Sequence, residues 1–198
     1  IKIGNCYNPQ IDEHAEEKER KSNELLFVGH IVPDKGMMEL LIATHDIPNI
    51  KLHCYGPQRE GYMGELNAYI AEHPFKGEII FHGQQKPEVI FDAMRKSTLF
   101  VLPTWWEGFP FVIVEAMASG CPVISTPIGA IEEMLTYNNE LQGYLVPIKD
   151  PEQLRKQIVY CLEHLDEIWG KAEKAREKAQ MEYLVDALMN KLIDCWIN

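Results

Sequence analysis

The chain has 198 residues, 46% of them hydrophobic, and carries 19 Lys and Arg against 30 Asp and Glu, a formal net charge of −11. That acidity leaves no chain-wide electrostatic footprint for nucleic acid or for an anionic membrane. The apolar runs are short and broken by Gly, Pro or charge, so none reaches the roughly 20 residues a membrane span needs.

Ile1 to Gly4 reads as the end of a strand, and residues 5–24, with nine charges and one proline, as a surface connection. From Leu25 onward short apolar runs recur at Leu25–Gly29, Ile50–Tyr55, Glu78–His82, Thr98–Pro103, Pro122–Thr126 and Gly143–Pro147, their starts 20 to 28 residues apart. Helix-compatible segments fill the gaps at Gly36–Asp46, Tyr62–His73, Pro87–Lys96 and Phe111–Ser119, with a turn or two at Ala130–Leu135. Strands alternating with helices at this spacing predict βαβ units and a parallel sheet. The runs are near-continuous rather than alternating, as in Leu25-Leu26-Phe27-Val28, which suits strands covered by helices on both faces. Gly29, Gly56, Gly83 and Pro103 each follow a strand, at the carboxyl edge where open α/β sheets bind ligands. After Pro151 the pattern is helical throughout. One stripe runs through Leu154, Ile158, Cys161, Leu162 and Leu165, a charged stretch covers Ala172–Gln180, and a last stripe runs from Leu184 through Leu188 and Leu192 to Trp196. The expected divisions are a connection with a first strand over 1–24, a ligand-binding α/β unit over 25–165, and C-terminal helices over 166–198.

Several chemistries have no motif here. There is no Walker P-loop, no G-x-G-x-x-G, no H-E-x-x-H and no G-x-S-x-G. No D-x-D pair is present to hold a divalent metal against a diphosphate, and the seven histidines show no ligand spacing. The five cysteines lie 34 to 67 residues apart without a C-x-x-C pair, which argues against disulfides or zinc and for thiols filling a core in a reducing cytosol. No signal-peptide pattern opens the chain. It begins at Ile1 rather than Met, so a piece of something longer is expected.

Residues 98–126, TLFVLPTWWEGFPFVIVEAMASGCPVIST, carry the most information. A strand runs into the loop Glu107-Gly108-Phe109-Pro110, and a helix is expected to start at Pro110, a residue suited to the first helical position. The free N–H groups of Phe111 and Val112 and the helix dipole then make an anion site at the strand's carboxyl end. Glu107 in the loop and Glu115 in the helix flank that site. Carboxylates cannot bind phosphate themselves but suit the hydroxyls of a ribose or a sugar. Glu115, embedded among Val112, Ile113, Val114, Ala116 and Met117, is hard to explain as a surface residue.

The pattern resembles the E-x7-E region of the nucleotide-sugar glycosyltransferases of group 1 (family 4), which have the two-domain GT-B fold. Further segments resemble that family in the same order: Val28-Gly29-His30 through Lys35-Gly36, Tyr55-Gly56-Pro57, Phe81-His82-Gly83, Pro103-Thr104 and Gly143-Tyr144-Leu145-Val146. The resemblance implies a Rossmann-like parallel sheet with helices on both faces, the C-terminal, donor-binding half of such an enzyme. The acceptor-binding N-terminal domain would then be missing. It also implies that Lys35 and the residue at position 30 contact the donor diphosphate, that Glu115 binds the ribose, and that Glu107 lies near the transferred sugar. Gly29, Gly108, Phe109, Pro110, Phe111 and Val112 would approach the donor through their backbone, and Gln84 would lie near the base. Retention of anomeric configuration, independence of metal and other cofactors, and a cytoplasmic protein whose membrane association, if any, would come mainly from the missing half are the further expectations.

His30 departs from the family, which has Arg there. An Arg is a permanent fork for phosphate, whereas His carries little charge at pH 7. Either Arg59, in the loop after Gly56, compensates, or donor affinity is lower. Trp105 and Trp106 are read as packing before sugar platforms, and His82 as a core or strand-end residue. Two other functions stay open at this level: a noncatalytic nucleotide-binding module, favoured only by His30, and half of a nucleotide-sugar epimerase, for which no extra His and carboxylate groups stand out. The 198 residues alone are expected to bind nucleotide without transferring sugar.

Overall fold

The computed structural model describes residues 23–184. The expected strand at 1–4, the connection that follows it up to residue 22 and the stripe from Leu188 to Trp196 lie outside those residues, and Glu24, expected to end the connection, opens the first strand. Six strands form one parallel sheet: β1 (Glu24–Val28), β2 (Lys51–Tyr55), β3 (Glu78–Gly83), β4 (Leu99–Leu102), β5 (Val123–Ser125) and β8 (Tyr144–Leu145). Their order across the sheet is β3-β2-β1-β4-β5-β8. The six strands expected between Leu25 and Pro147 are all present, their ends shifted by a residue or two.

Burial explains the near-continuous apolar runs. Leu25, Leu26 and Phe27 of β1 and all of Leu99–Leu102 in β4 are buried, because inner strands are covered on both faces. At the edge, β3 is only half-buried. Seven helices connect or follow the strands: α1 (Met37–Thr44), α2 (Glu60–Glu72), α3 (Pro87–Lys96), α4 (Phe111–Ala118), α5 (Ile131–Leu135), α6 (Pro151–Glu163) and α7 (Leu165–Glu182). The chain moves outward through α1 and α2 and in the opposite direction through α3 and α4. Right-handed crossovers therefore place the two pairs on opposite faces. α6 packs on α1, and α7 packs on α4, so each layer gains one C-terminal helix.

Two features differ from the expectations. The C-terminal stripe breaks at His164, whose φ of −126° and ψ of 53° leave the helical region, and a second helix restarts at Leu165. Within it the charged stretch 172–180 hides a buried stripe of Ala172, Ala175 and Ala179, whose small side chains sit close to α4. A small antiparallel hairpin, β6 (Thr136–Tyr137) and β7 (Glu140–Leu141), also intervenes before β8. Its turn is Asn138-Asn139, both at positive φ (51° and 62°), the backbone that two-residue hairpins require. Cys54, Cys121 and Cys161 are buried free thiols, as core fillers should be.

Candidate functional site

The strand order places the crevice. The chain starts at β1 in the middle of the sheet, steps outward to β2 and β3, then returns to β4 on the other side of β1 and steps outward again. Connections therefore leave β1 and β4 in opposite directions, and a gap opens between them at the carboxyl edge, where ligands of open α/β sheets bind. The loop after β1 carries His30 and Lys35. The loop after β4 carries Glu107 to Pro110.

Backbone contacts fix the first loop. Gly29 N–H donates to Tyr55 O (3.0 Å) and Ile31 N–H to Pro57 O (2.8 Å), tying the ends of β1 and β2 together. A single 3₁₀ turn, Pro33–Lys35, follows and closes on Gly36, whose φ is 72°. Only glycine fits there. A Cβ would stand 2.0 Å from the carbonyl oxygen of Pro103. The turn thus lies directly on the segment leaving β4. Asp34 O accepts from the Trp105 N–H (2.8 Å) and lies 3.1 Å from the Thr104 hydroxyl, while Thr104 O accepts from the Thr126 hydroxyl (2.6 Å).

The second loop is fixed as firmly. Gly129, at φ 60°, leaves room for the carbonyls of Glu107 and Gly108, which a Cβ would meet at 2.2 and 2.6 Å. Ala130 N–H donates to Gly108 O (3.1 Å). With both backbones held, the Lys35 ammonium and the Glu107 carboxylate form an ion pair, their side chains 19% and 16% exposed.

Pro110 stands just before α4 rather than at its first helical position, with ψ of 103°, because its carbonyl accepts the opening hydrogen bond from Ile113 N–H (3.0 Å). The N–H groups of Phe111 and Val112, in the first turn, have no acceptor inside the helix. Phe109 is half-buried and meets Phe111 and Tyr183 edge-on, at centroid distances of 5.8 and 6.0 Å. Tyr183 follows α7, so the C-terminal helix braces the loop. Glu115, in the second turn of α4, is half-buried and makes no ion pair among the described residues. Burial raises its carboxyl above the ordinary range.

The remaining expected residues are placed but not joined to the ion pair. His30 is exposed at the start of its loop. Arg59 is exposed at the start of α2, and its N–H reaches Ile31 O (3.4 Å), so it lies beside the His30 loop. Gln84 is exposed just past β3, and Gln85 folds back to donate to His82 O (2.9 Å). No hydrogen bond or ion pair among the described residues joins His30, Gln84 or Glu115 to Lys35 or Glu107. His82 stacks on Tyr55 (4.2 Å between centroids) and on His53, whose Nδ1 lies 2.9 Å from His82 Nε2. Burial lowers the His82 pKa. Trp106 is 72% exposed, whereas Trp105 is half-buried.

One group was not visible in the sequence. The Lys149 ammonium sits 4.1 Å over the Trp105 ring, and Glu39 of α1 shares that corner. Burial raises the Glu39 carboxyl, opposed by its backbone hydrogen bond, by Lys149 and by the Trp105 indole. These three residues come from positions 39, 105 and 149, and no local motif links them. No group of three or more His, Cys, Asp or Glu among the described residues is arranged to hold a metal ion. No helix among them is long and apolar enough to cross a membrane.

The family model for group 1 glycosyl transferases matches residues 10–181. The chain belongs to that family. It is 36% identical over 89 residues to the lipopolysaccharide core biosynthesis mannosyltransferase LpsB of Rhizobium meliloti, a match covering 45% of this chain and 25% of LpsB. Its fold superposes on Anabaena Alr3699/HepE in complex with UDP-glucose with a TM-score of 0.79 and 22% identity, covering 88% of this chain and 48% of that one. It also superposes on the C-terminal domain of the group 1 glycosyl transferase LpcC from Francisella tularensis, with a TM-score of 0.73 and 21% identity, over 92% of this chain and 97% of that domain. The chain therefore spans from a quarter to about half of the longer proteins it matches, and nearly all of one C-terminal domain. The family match sets aside the epimerase reading.

Proposed function

We propose that this chain is the donor-binding part of a retaining glycosyltransferase that moves a sugar from a nucleotide diphosphate to an acceptor without a metal ion. The observation that carries the reading is the meeting of Lys35 and Glu107 at the switch point of the sheet, in the loop that leads into α4. Cleavage of a nucleotide sugar loads negative charge onto the departing diphosphate. Prepositioned cations and N–H dipoles stabilise that charge most where it develops. The Lys35 ammonium and the N–H groups of Phe111 and Val112 are such donors. Gly29, Gly108, Phe109 and Pro110 shape the backbone around them.

Glu115 would accept hydrogen bonds from the ribose hydroxyls, and Glu107 would face the transferred sugar. A half-buried carboxylate with no cation paired to it among the described residues suits neutral hydroxyls better than phosphate. Gln84, exposed past β3, would lie beside the base. The UDP-glucose complex of HepE and the mannosyltransferase activity named for LpsB support a nucleotide sugar as donor. LpsB also supports a surface polysaccharide or glycolipid as product. The acceptor would be presented by a part of the protein outside this chain, so the 198 residues alone would bind donor without transfer. His30, exposed where the family has Arg, favours a second reading, a module that binds nucleotide without turnover.

A thermal-shift panel of UDP, GDP and ADP tests the donor site. Ligand at a hundred times its dissociation constant adds about 2.7 kcal/mol. In a domain of this size that raises the midpoint by roughly 5 to 10 °C. We expect one nucleotide to shift the wild type and to lose most of that shift in Lys35→Ala. A shift unchanged by Lys35→Ala would contradict the reading.

A further inference from the structure

Lys35 is already engaged. At the place where a donor diphosphate would need its ammonium, the Glu107 carboxylate holds it, and each side chain is less than a fifth exposed. Neither backbone can yield easily. Gly36 lies against Pro103 O, and the carbonyls of Glu107 and Gly108 lie against Gly129. The side chains, by contrast, have several rotatable bonds each, so the pair can open by a change of rotamer without moving the loops.

An ammonium left alone in a partly desolvated crevice is costly, and a carboxylate in contact offsets that cost. A diphosphate brings more negative charge and more acceptor oxygens to the same ammonium. Once it arrives, a carboxylate beside it is repelled. We propose that Glu107 is a stand-in anion: it occupies Lys35 in the donor-free protein, and the donor's diphosphate displaces it, releasing the carboxylate toward the sugar. Arrival of the phosphates and positioning of Glu107 are then one event. A ligand without a diphosphate, such as a nucleoside, has nothing to displace and leaves the pair closed. This proposal rests on the crevice being a nucleotide-sugar site.

The test is a calorimetric titration of the 198-residue chain with UDP, GDP and ADP, with inorganic pyrophosphate, and with the matching nucleosides. Four proteins are compared: wild type, Glu107→Gln, Lys35→Met and the double variant, each checked for a wild-type circular dichroism spectrum. Glu107→Gln should tighten nucleoside diphosphate and pyrophosphate about two- to fivefold, the range of exposed ion pairs, and leave nucleoside binding unchanged. In the Lys35→Met background the same substitution should gain less than twofold, because no ammonium remains to be released. An equal gain in both backgrounds would show simple charge repulsion and overturn the exchange. So would weaker binding by Glu107→Gln. If a nucleoside diphosphate binds wild type and Lys35→Met equally, or binds none of the four proteins at millimolar concentration, the nucleotide-sugar reading itself fails and takes the exchange with it.

Discussion

The same substitution, Gly to Ala, should have opposite effects at two positions of this chain. Gly64 lies inside α2 and a Cβ there would meet nothing within 4 Å. Alanine is favoured over glycine in a helix by about 0.8–1 kcal/mol, so Gly64→Ala should stabilise by about that amount. Gly36 sits at φ 72°, a conformation that costs an L-residue about 1–2 kcal/mol. Its Cβ would stand 2.0 Å from Pro103 O, and the backbone would have to retreat by 1 Å to reach even a 3.0 Å contact. Forcing such overpacking costs about 1–3 kcal/mol more. The smaller freedom of Ala in the unfolded chain returns about 0.4–1 kcal/mol. The net expectation for Gly36→Ala is a loss of about 1–5 kcal/mol. At roughly 2–4 °C per kcal/mol for a domain of this size, that lowers Tm by about 2–20 °C, while Gly64→Ala raises it by about 2–4 °C. Differential scanning calorimetry on the two variants decides the matter. If Gly36→Ala melts within 2 °C of wild type, the Asp34–Gly36 turn does not lie on the β4 loop as described.

Glu115→Gln should show a pH-dependent gain. Burial raises the folded-state pKa of Glu115, so the folded protein binds that proton more tightly than the unfolded chain. Wild-type stability is therefore lost as pH rises from the ordinary carboxylate range through the raised value. The amide should be more stable than wild type at pH 7.5, and the two should converge below about pH 4, under the unfolded value. A gap in melting temperature that widens in acid would refute this. Lys178, with a side chain 5% exposed, donates to Glu133 O (2.5 Å) and Thr136 O (2.7 Å) at the C-terminal end of α5. Lys178→Met leaves two carbonyls without that donor and should cost about 2–3 kcal/mol, seen as a lower midpoint in urea unfolding. An unchanged midpoint would mean water replaces the ammonium.

The sheet was legible because inner parallel strands must be apolar on both faces, and Leu25–Val28 and Leu99–Leu102 announce themselves without alternation. The helix break at His164 was not legible, since neither Gly nor Pro marks it and Leu165 continues the apolar spacing. The Asn138-Asn139 turn did leave a local signal for the hairpin, but two-residue strands are too short to register as runs. At the site, Glu107 and Glu115 could be singled out by their spacing around one helix start. The contact of Lys35 with Glu107 spans 72 residues and depends on Gly36 and Gly129, whose small size matters only once the loops are folded together. The Glu39, Trp105 and Lys149 corner is tertiary in the same sense.

The central claim is that Glu115 and Lys35 line one nucleotide-sugar crevice, with Glu115 on the ribose. Isothermal titration of the tightest-binding nucleoside diphosphate and its 2′-deoxy counterpart against wild type and Glu115→Ala tests it most directly. A hydrogen bond to a charged group is worth about 1.5–3 kcal/mol, so wild type should prefer the ribonucleotide by at least about tenfold. Glu115→Ala should bind the two equally. A tenfold preference that survives in Glu115→Ala would place the ribose elsewhere and contradict the claim.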